Sequence, residues 1–299
     1  MKVKNPIDPQ NGTVTFVENF KAEEIVNCYI KMGLKVNRFF PEENIQLYKC
    51  DQTGYRFYYP FNAIGDAKFY EDLSISRKNY YSERWEHLRA LRFIEKNENV
   101  LEVGTGFGAF LNLLKIKGIK ANGLELNGVA VKNCRDQGLN VENKLIQDDA
   151  LENSGQYDVV CYFQVLEHIT DVGSFLKASV DLLKVGGRLM IGVPNNNPYL
   201  FINDRMHTLN LPPHHAGLWN KNSLENLQKI FPLKKIHLEF EPLEEAYSEF
   251  IEQWTTNQNN KFIKKAIIVM RAKAPKILKK FCCKFINGRN IFVVFEKIS

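Results

Sequence analysis

Residues 100–110 read Val100-Leu101-Glu102-Val103-Gly104-Thr105-Gly106-Phe107-Gly108-Ala109-Phe110, and 21 residues after Gly104 an acid stands at Glu125 in Gly123-Leu124-Glu125-Leu126-Asn127. An apolar strand that runs into alternating glycines lets backbone N–H groups and a helix N-terminus approach a polar ligand. Glycine also serves ordinary strand–helix turns because it accepts positive φ. Three alternating glycines at the C-terminal end of a buried strand point further, to ligand binding, with Thr105 and Phe107 lining the same loop. Glu125 ends the next apolar run, spaced to accept both hydroxyls of a ribose. Glu102, inside the strand, would be costly to bury alone, so it is expected to accept hydrogen bonds from the loop or from a ligand amino group. The segment Gly104-x-Gly106-x-x-Ala109 also satisfies the relaxed dinucleotide fingerprint, which leaves a nicotinamide cofactor open.

Two stretches downstream separate the alternatives. Residues 157–171 read Tyr-Asp-Val-Val-Cys-Tyr-Phe-Gln-Val-Leu-Glu-His-Ile-Thr-Asp, a buried strand and a helix start. Residues 182–197 read Leu-Leu-Lys-Val-Gly-Gly-Arg-Leu-Met-Ile-Gly-Val-Pro-Asn-Asn-Asn, a helix end, glycine turn, strand and polar loop. Glycine-turn strand, acidic strand end, Leu-Glu-His and Gly-Gly-Arg-Leu, in that order, resemble the class I S-adenosylmethionine-dependent methyltransferases over roughly residues 80–240. Within them, Pro-Pro-His-His-Ala-Gly-Leu-Trp at 212–219 is similar to a subgroup common in bacterial glycan and natural-product pathways.

The resemblance implies S-adenosylmethionine as cofactor, bound by Glu102, Gly104, Thr105, Gly106, Phe107, Gly108, Glu125 and Leu126. It places Phe163 and Gln164, just past the fourth strand, beside the methionine portion. Family spacing puts the adenine contact near Leu145, although the nearest acids are Asp148 and Asp149. Tyr80, Tyr81 and Trp85 are similar to an aromatic lid over the cofactor, or serve plain core packing.

Hydrophobic periodicity supplies the architecture. Strands are expected at 99–103, 120–125, 139–142, 157–163 and 187–193, with helices near 82–96, 107–117, 127–137, 146–152, 171–184 and 222–230. Such alternation, with near-continuous apolar strands, argues for a parallel sheet covered on both faces. Residues 234–240 and 290–297 read as two further strands. The resemblance makes these an antiparallel pair, so 242–288 becomes a helical insertion between them. The expected fold is α/β, a Rossmann-like seven-stranded methyltransferase sheet spanning 66–299. Residues 1–65 precede it as a small α+β lead-in, with a helix near 21–33 and strands near 45–49 and 54–59. This lead-in has a degenerate zinc-ribbon-like turn at 48–55, where Thr53 stands in the place of a second cysteine.

Bulk properties set the remaining bounds. A length of 299 with 44 % hydrophobic residues suits one large domain with additions. No apolar run approaches the roughly 18 residues of a membrane span, and the N-terminus lacks the apolar core of a signal peptide. Six scattered cysteines, with no Cys-x-x-Cys, fit a reducing compartment. A cytoplasmic protein is expected, with the inner face of the membrane as a further location. The reason lies in 261–289, which holds ten of the basic residues and no acid; the rest carries 30 basic against 34 acidic, a net of −4. Within 261–286, Phe262, Ile263, Ala266, Ile267 and Met270, then Ile277, Leu278, Phe281 and Phe285, recur at helical spacing on either side of Pro275. That pattern fits a peripheral contact with an anionic membrane, or an insertion that buries its apolar face on its own domain.

Three histidines are candidates for proton transfer. His214 and His215 follow two prolines in a loop, where imidazole can take a hydroxyl proton near neutral pH. His168, in Leu-Glu-His, is the alternative base, or a ring that orients nearby backbone. No metal is expected, because neither a His-x-x-x-His pair nor a carboxylate cluster accompanies them. The expected activity is methyl transfer to a hydroxyl, or less readily an amine, of a small molecule or glycan. A surface polysaccharide or lipid-linked sugar is the acceptor the resemblance favours. An RNA methyltransferase draws support from the basic segment, but Phe163-Gln164-Val165-Leu166 lacks the Asn/Asp-Pro-Pro-aromatic of base-modifying enzymes. A nicotinamide dehydrogenase leaves Gly-Gly-Arg-Leu unexplained, and none of the 12 tyrosines has a lysine four residues on. A cofactor-binding regulator without turnover is a third class. Oligomeric state is not legible in this sequence.

Overall fold

The computed structural model describes residues 3–76, 83–196 and 204–299. Tyr80 and Tyr81, expected in the lid, lie outside the described residues.

The chain opens with β1 (Val14–Lys21), α1 (Ala22–Ile30), β2 (Asn44–Cys50), β3 (Arg56–Tyr59) and α2 (Ala67–Ser76). It continues through α3 (Trp85–Ala90), β4 (Asn99–Val103), α4 (Ala109–Ile116), β5 (Lys120–Leu124), α5 (Gly128–Asp136), β6 (Val141–Glu142), α6 (Ile146–Glu152) and β7 (Tyr157–Phe163). Then come α7 (Val172–Leu182), β8 (Leu183–Pro194), β9 (Gly217–Leu218), α8 (Lys221–Glu225) and β10 (Leu233–Phe240). The last elements are α9 (Tyr247–Asn257), α10 (Lys261–Lys273), α11 (Pro275–Phe285) and β11 (Asn290–Lys297).

The large sheet has seven strands in the order β10-β11-β8-β7-β4-β5-β6. The five strands from β8 to β6 run parallel, while β11 is antiparallel to both β8 and β10. The expected α/β sheet and its antiparallel pair are therefore what the chain forms. The central strands are apolar on both faces, as a sheet sandwiched between helices requires: Val100, Leu101, Val159, Val160, Leu189 and Met190 are all buried. The order reverses beside β4, so its C-terminal end faces the crevice where open α/β sheets bind ligands.

The lead-in forms a second sheet, β1-β2-β3-β9, closed by a strand from far down the chain. Arg56 and Phe57 pair with Leu218 and Gly217. Gly217 has no substitute there, since a Cβ would meet the Tyr55 Oη at 1.7 Å. Tyr55 in turn stacks obliquely on buried Trp219, ring centroids 4.2 Å apart. The lead-in thus shares its core with the large sheet, and it grips the segment that follows Pro-Pro-His-His.

Three differences from the periodicity have physical reasons. Strand β1 was not expected: it lies at a sheet edge, exposes Phe16 and Val17, and so shows no alternation. Helix α2 arises in the tyrosine-dense 65–81 stretch through an i, i+4 pair, Phe69 and Leu73, which joins the lead-in core. The helix expected at 82–96 is confined to Trp85–Ala90, with a 3₁₀ turn at Leu91–Phe93. Its buried face is Glu86, His87 and Ala90, and Leu88 is exposed.

Candidate active site

The ends of β4, β5 and β7 open into a cavity of about 880 Å³. Gly104, Gly106 and Gly108 all adopt positive φ, at 73°, 52° and 80°, which turns the chain tightly enough for Gly108 to cap α4. Gly104, Thr105, Gly106 and Phe107 line the cavity. Gly108 stands behind them, where a Cβ would meet Leu139 at 2.5 Å.

Glu125 is fixed by the backbone around it. One carboxylate oxygen accepts from the Gly106 N–H at 2.8 Å and the other from the Asn127 N–H at 2.8 Å. Each oxygen keeps a lone pair, so a vicinal diol can still donate to it. Behind it Glu102 is buried, and Oε2 has no hydrogen-bond partner among the described residues. Burial, and then repulsion from Glu125, hold its carboxyl well above the usual carboxylate range. A buried acid with an unsatisfied oxygen at a ligand cavity fits an amino group as donor.

At the end of the neighbouring strand β7, Phe163 packs edge-on against Phe110 and His87, with centroids 5.0 Å away in each case. Gln164 sits at φ 58°, unusual for a residue with a side chain. Its backbone N–H donates to Gly192 and its amide donates to Glu86 at 2.7 Å and Asn290 at 3.3 Å. Trp85 also lines the cavity, and Arg89 lies over its ring at 5.3 Å. Leu126 and Leu145 do not join this group: both are exposed, outside the cavity. Asp149, near the expected adenine position, is occupied by Lys144 at 3.0 Å and Asn153 at 2.8 Å.

The fold brings His168, His214 and His215 together on the remaining wall, with ring centroids 4.4–5.1 Å apart. Three backbone bonds set the loop: Gly65 N–H donates to Pro213, Tyr58 N–H to Ala216, and Ala216 N–H to Glu167. The histidine loop is thereby strapped between the lead-in and the turn after β7. His168 Nδ1 donates to the His214 carbonyl at 2.6 Å, and its Nε2 faces Glu167 Oε1 at 3.9 Å. Burial pushes His168 down to about 4, so the ring is neutral at pH 7. Burial pushes Glu167 up to about 8, and neither of its oxygens has a hydrogen-bond partner among the described residues.

The sequence reasoning did not find Glu86, Glu167 or Tyr70, a cavity residue whose hydroxyl donates to the His214 carbonyl at 3.1 Å. Leu-Glu-His and Trp-Glu-His look like amphipathic helix starts, and no local signal marks the acids as buried. No metal was expected from the spacing of the histidines; the fold brings ligand atoms of His168, His214 and His215 within 4.8 Å of one another.

A glycine loop, a strand-end acid and a buried acid at the switch point of a parallel sheet define an α/β enzyme that takes a nucleoside cofactor. Residues 77–238, more than half of the chain, match the methyltransferase domain family, and the chain belongs to it. Its fold is that of S-adenosylmethionine-dependent methyltransferases. Over 172 residues it is 29 % identical to the ubiquinone biosynthesis O-methyltransferase of Marinobacter nauticus, covering 54 % of this chain and 69 % of that protein. Over 125 residues it is 33 % identical to the enzyme of that name from Pseudomonas savastanoi pv. phaseolicola, covering 39 % and 54 %. With the Bordetella bronchiseptica enzyme the figures are 32 % over 111 residues, 35 % and 46 %. The matched segments thus span between about half and about two thirds of these relatives. Among solved structures, a S-adenosylmethionine-dependent methyltransferase of Archaeoglobus fulgidus superposes with TM-score 0.53 at 19 % identity. A Pyrococcus horikoshii protein does so with 0.52 at 13 %. Each superposition covers 78 % of this chain and all of the other, and supports the fold alone.

Proposed function

We propose that this enzyme methylates a hydroxyl group of a small amphipathic molecule, with the cofactor held by Gly104–Phe107, Glu102 and Glu125. The observation that carries this reading is the stacked His214–His215 pair that lines the same cavity as the glycine loop. The O-methyltransferase names of the relatives support oxygen as the acceptor atom. They do not carry the glycan acceptor that Pro-Pro-His-His suggested, so a glycan becomes one arm of the acceptor panel rather than the leading choice.

When bound, S-adenosylmethionine supplies an electrophilic methyl on a sulfonium. The chain's own work is to orient the acceptor oxygen in line with that methyl, exclude water, and accept one proton. His215, or else His214, would accept the proton that leaves the acceptor hydroxyl. His168 is unsuited to this step. Its Nδ1 is committed to the His214 carbonyl and its low basicity leaves little driving force, so it positions the loop. Turnover of labelled cofactor against a panel of phenolic lipids, sugar nucleotides and RNA tests the acceptor class; methyl incorporation into RNA alone would overturn it.

Glu125→Ala is expected to weaken cofactor binding by about 1.5–3 kcal/mol, the scale of hydrogen bonds to a charged group. Calorimetry reads this directly, and a thermal melt without cofactor separates it from loosening of the Gly106 and Asn127 amides. A cofactor affinity within twofold of wild type would remove Glu125 from the site.

The imidazole cluster favours one other reading, a divalent ion that lowers the acceptor hydroxyl's pKa. Under the base reading, exhaustive dialysis against a chelator leaves turnover unchanged. Loss of activity that returns with a single added divalent ion would instead make the three histidines a metal centre.

A further inference from the structure

We infer that α10 and α11 are a docking element for an anionic phospholipid bilayer, so that the acceptor reaches the cavity from the membrane surface. Only the last clause rests on the methyltransferase reading proposed above.

The two helices spend little of their apolar surface on this domain. Ile267, Leu278 and Cys282 bury against Leu243, Ala246, Phe250 and Ile251. Beside that seam, and beside partly buried Cys283 and Ile286, most of the other apolar side chains stand in water. Phe262 is 87 % exposed, Ile277 66 %, Phe281 59 % and Phe285 65 %, and Ile263 and Met270 are exposed as well. On α11 the stripe Ile277–Phe281–Phe285 runs at i, i+4, i+8 spacing, with Phe281 and Phe285 in ring contact at 5.0 Å. Scattered apolar residues on a surface need no explanation, but contiguous stripes mark interaction sites.

Charge selects the occupant. Lys276, Lys280 and Lys284 run along the same helix one residue before each member of the stripe, and all three are exposed. Across 261–289 there are ten cations and no anion. Among the described residues only Arg289 of these ten enters a salt bridge, with Glu249. An aromatic and aliphatic stripe flanked by exposed lysines matches a helix lying in the headgroup plane, with its apolar side toward the acyl chains and its ammonium groups at the phosphates. A protein partner with an apolar groove would leave the lysines without counter-charges, and RNA would leave Ile263, Met270 and Ile277 in water.

Position gives the element its use. The insertion leaves the large sheet at Glu241 and returns at Arg289, and both residues line the cavity. Gly288 N–H donates to the Glu241 carbonyl at 2.7 Å, and Arg289 N–H and Asn290 Nδ2 donate to the Glu241 carboxylate at 3.1 Å. Leu209, which also lines the cavity, packs against the α9–α11 core. A bilayer under α10 and α11 would therefore lie against one wall of the site.

The test is co-sedimentation of the full chain at low salt with vesicles of phosphatidylcholine alone and of phosphatidylcholine mixed with phosphatidylglycerol. Binding is expected on the mixed vesicles and to be much weaker on neutral ones. Replacing Lys276, Lys280 and Lys284 with glutamine should cost roughly fivefold per lysine, about 100-fold together. Phe262→Ser, Phe281→Ser and Phe285→Ser combined should abolish binding without lowering the melting temperature or the affinity for S-adenosylmethionine, because these side chains are exposed. Absence of binding to mixed vesicles would overturn the proposal. So would binding indifferent to both triple variants, binding to RNA in place of vesicles, or light scattering that shows a dimer broken by the phenylalanine changes. The assay needs neither acceptor nor turnover, so its failure would leave the methyl-transfer reading standing, and the reverse also holds.

Discussion

Turnover of the His214→Ala, His215→Ala double variant is expected to fall by about 10²–10⁴-fold, the usual contribution of a positioned base, while S-adenosylmethionine binds with unchanged affinity. A neutral alcohol is a poor nucleophile, and alignment alone leaves its proton in place. The pair is stacked at 4.4 Å, is 3 % exposed at each residue, and lines the same cavity as the glycine loop. The split between turnover and affinity matters because a merely structural ring would move both. Single variants at His214 and His215 assign the proton to one ring, and His168→Ala should instead loosen the loop, seen as a lower melting temperature. Turnover near wild type in the double variant would place the base elsewhere. Glu167, with two unsatisfied oxygens beside His168, would then be the next candidate.

Gly106→Leu is expected to remove measurable cofactor binding, a loss of more than about 100-fold. Gly106 has φ 52°, lines the cavity, and donates its N–H to Glu125. A leucine there meets two penalties together. The left-handed backbone costs roughly 1–2 kcal/mol for a residue with a Cβ, and the side chain projects where the cofactor must approach. The sign is set by sterics, so added salt or a change of pH should not rescue it. Binding within tenfold of wild type, in a variant with an unchanged far-ultraviolet spectrum, would move the cofactor off this loop.

The sheet and the cofactor loop were legible because their causes are local. Val100, Leu101 and Val103 make an apolar strand around one acid, the glycines follow at once, and Glu125 follows the next strand; each can be read within a few residues. The histidine wall is different. His168 meets His214 across 46 positions through the imidazole–carbonyl bond, and nothing near Leu-Glu-His announces it. Glu86 and Glu167 look like solvent-facing helix residues, yet both are buried by contacts made far away: Gln164 to one, Ala216 to the other. The insertion lies between these cases. Its stripes were visible as periodicity, but periodicity does not say which edge a helix gives to its own domain. The fold hides Ile267, Leu278 and Cys282 and leaves Phe262, Phe281 and Phe285 outside.

The central claim is that the loop after β4 and the acid after β5 together hold S-adenosylmethionine. Isothermal titration of the purified chain with S-adenosylmethionine and, separately, with NAD tests it most directly. The account predicts saturable one-to-one binding of S-adenosylmethionine, weakened in Glu125→Ala and lost in Gly106→Leu, and no binding of NAD. Tight NAD binding with none of S-adenosylmethionine, or S-adenosylmethionine binding indifferent to both substitutions, would contradict it.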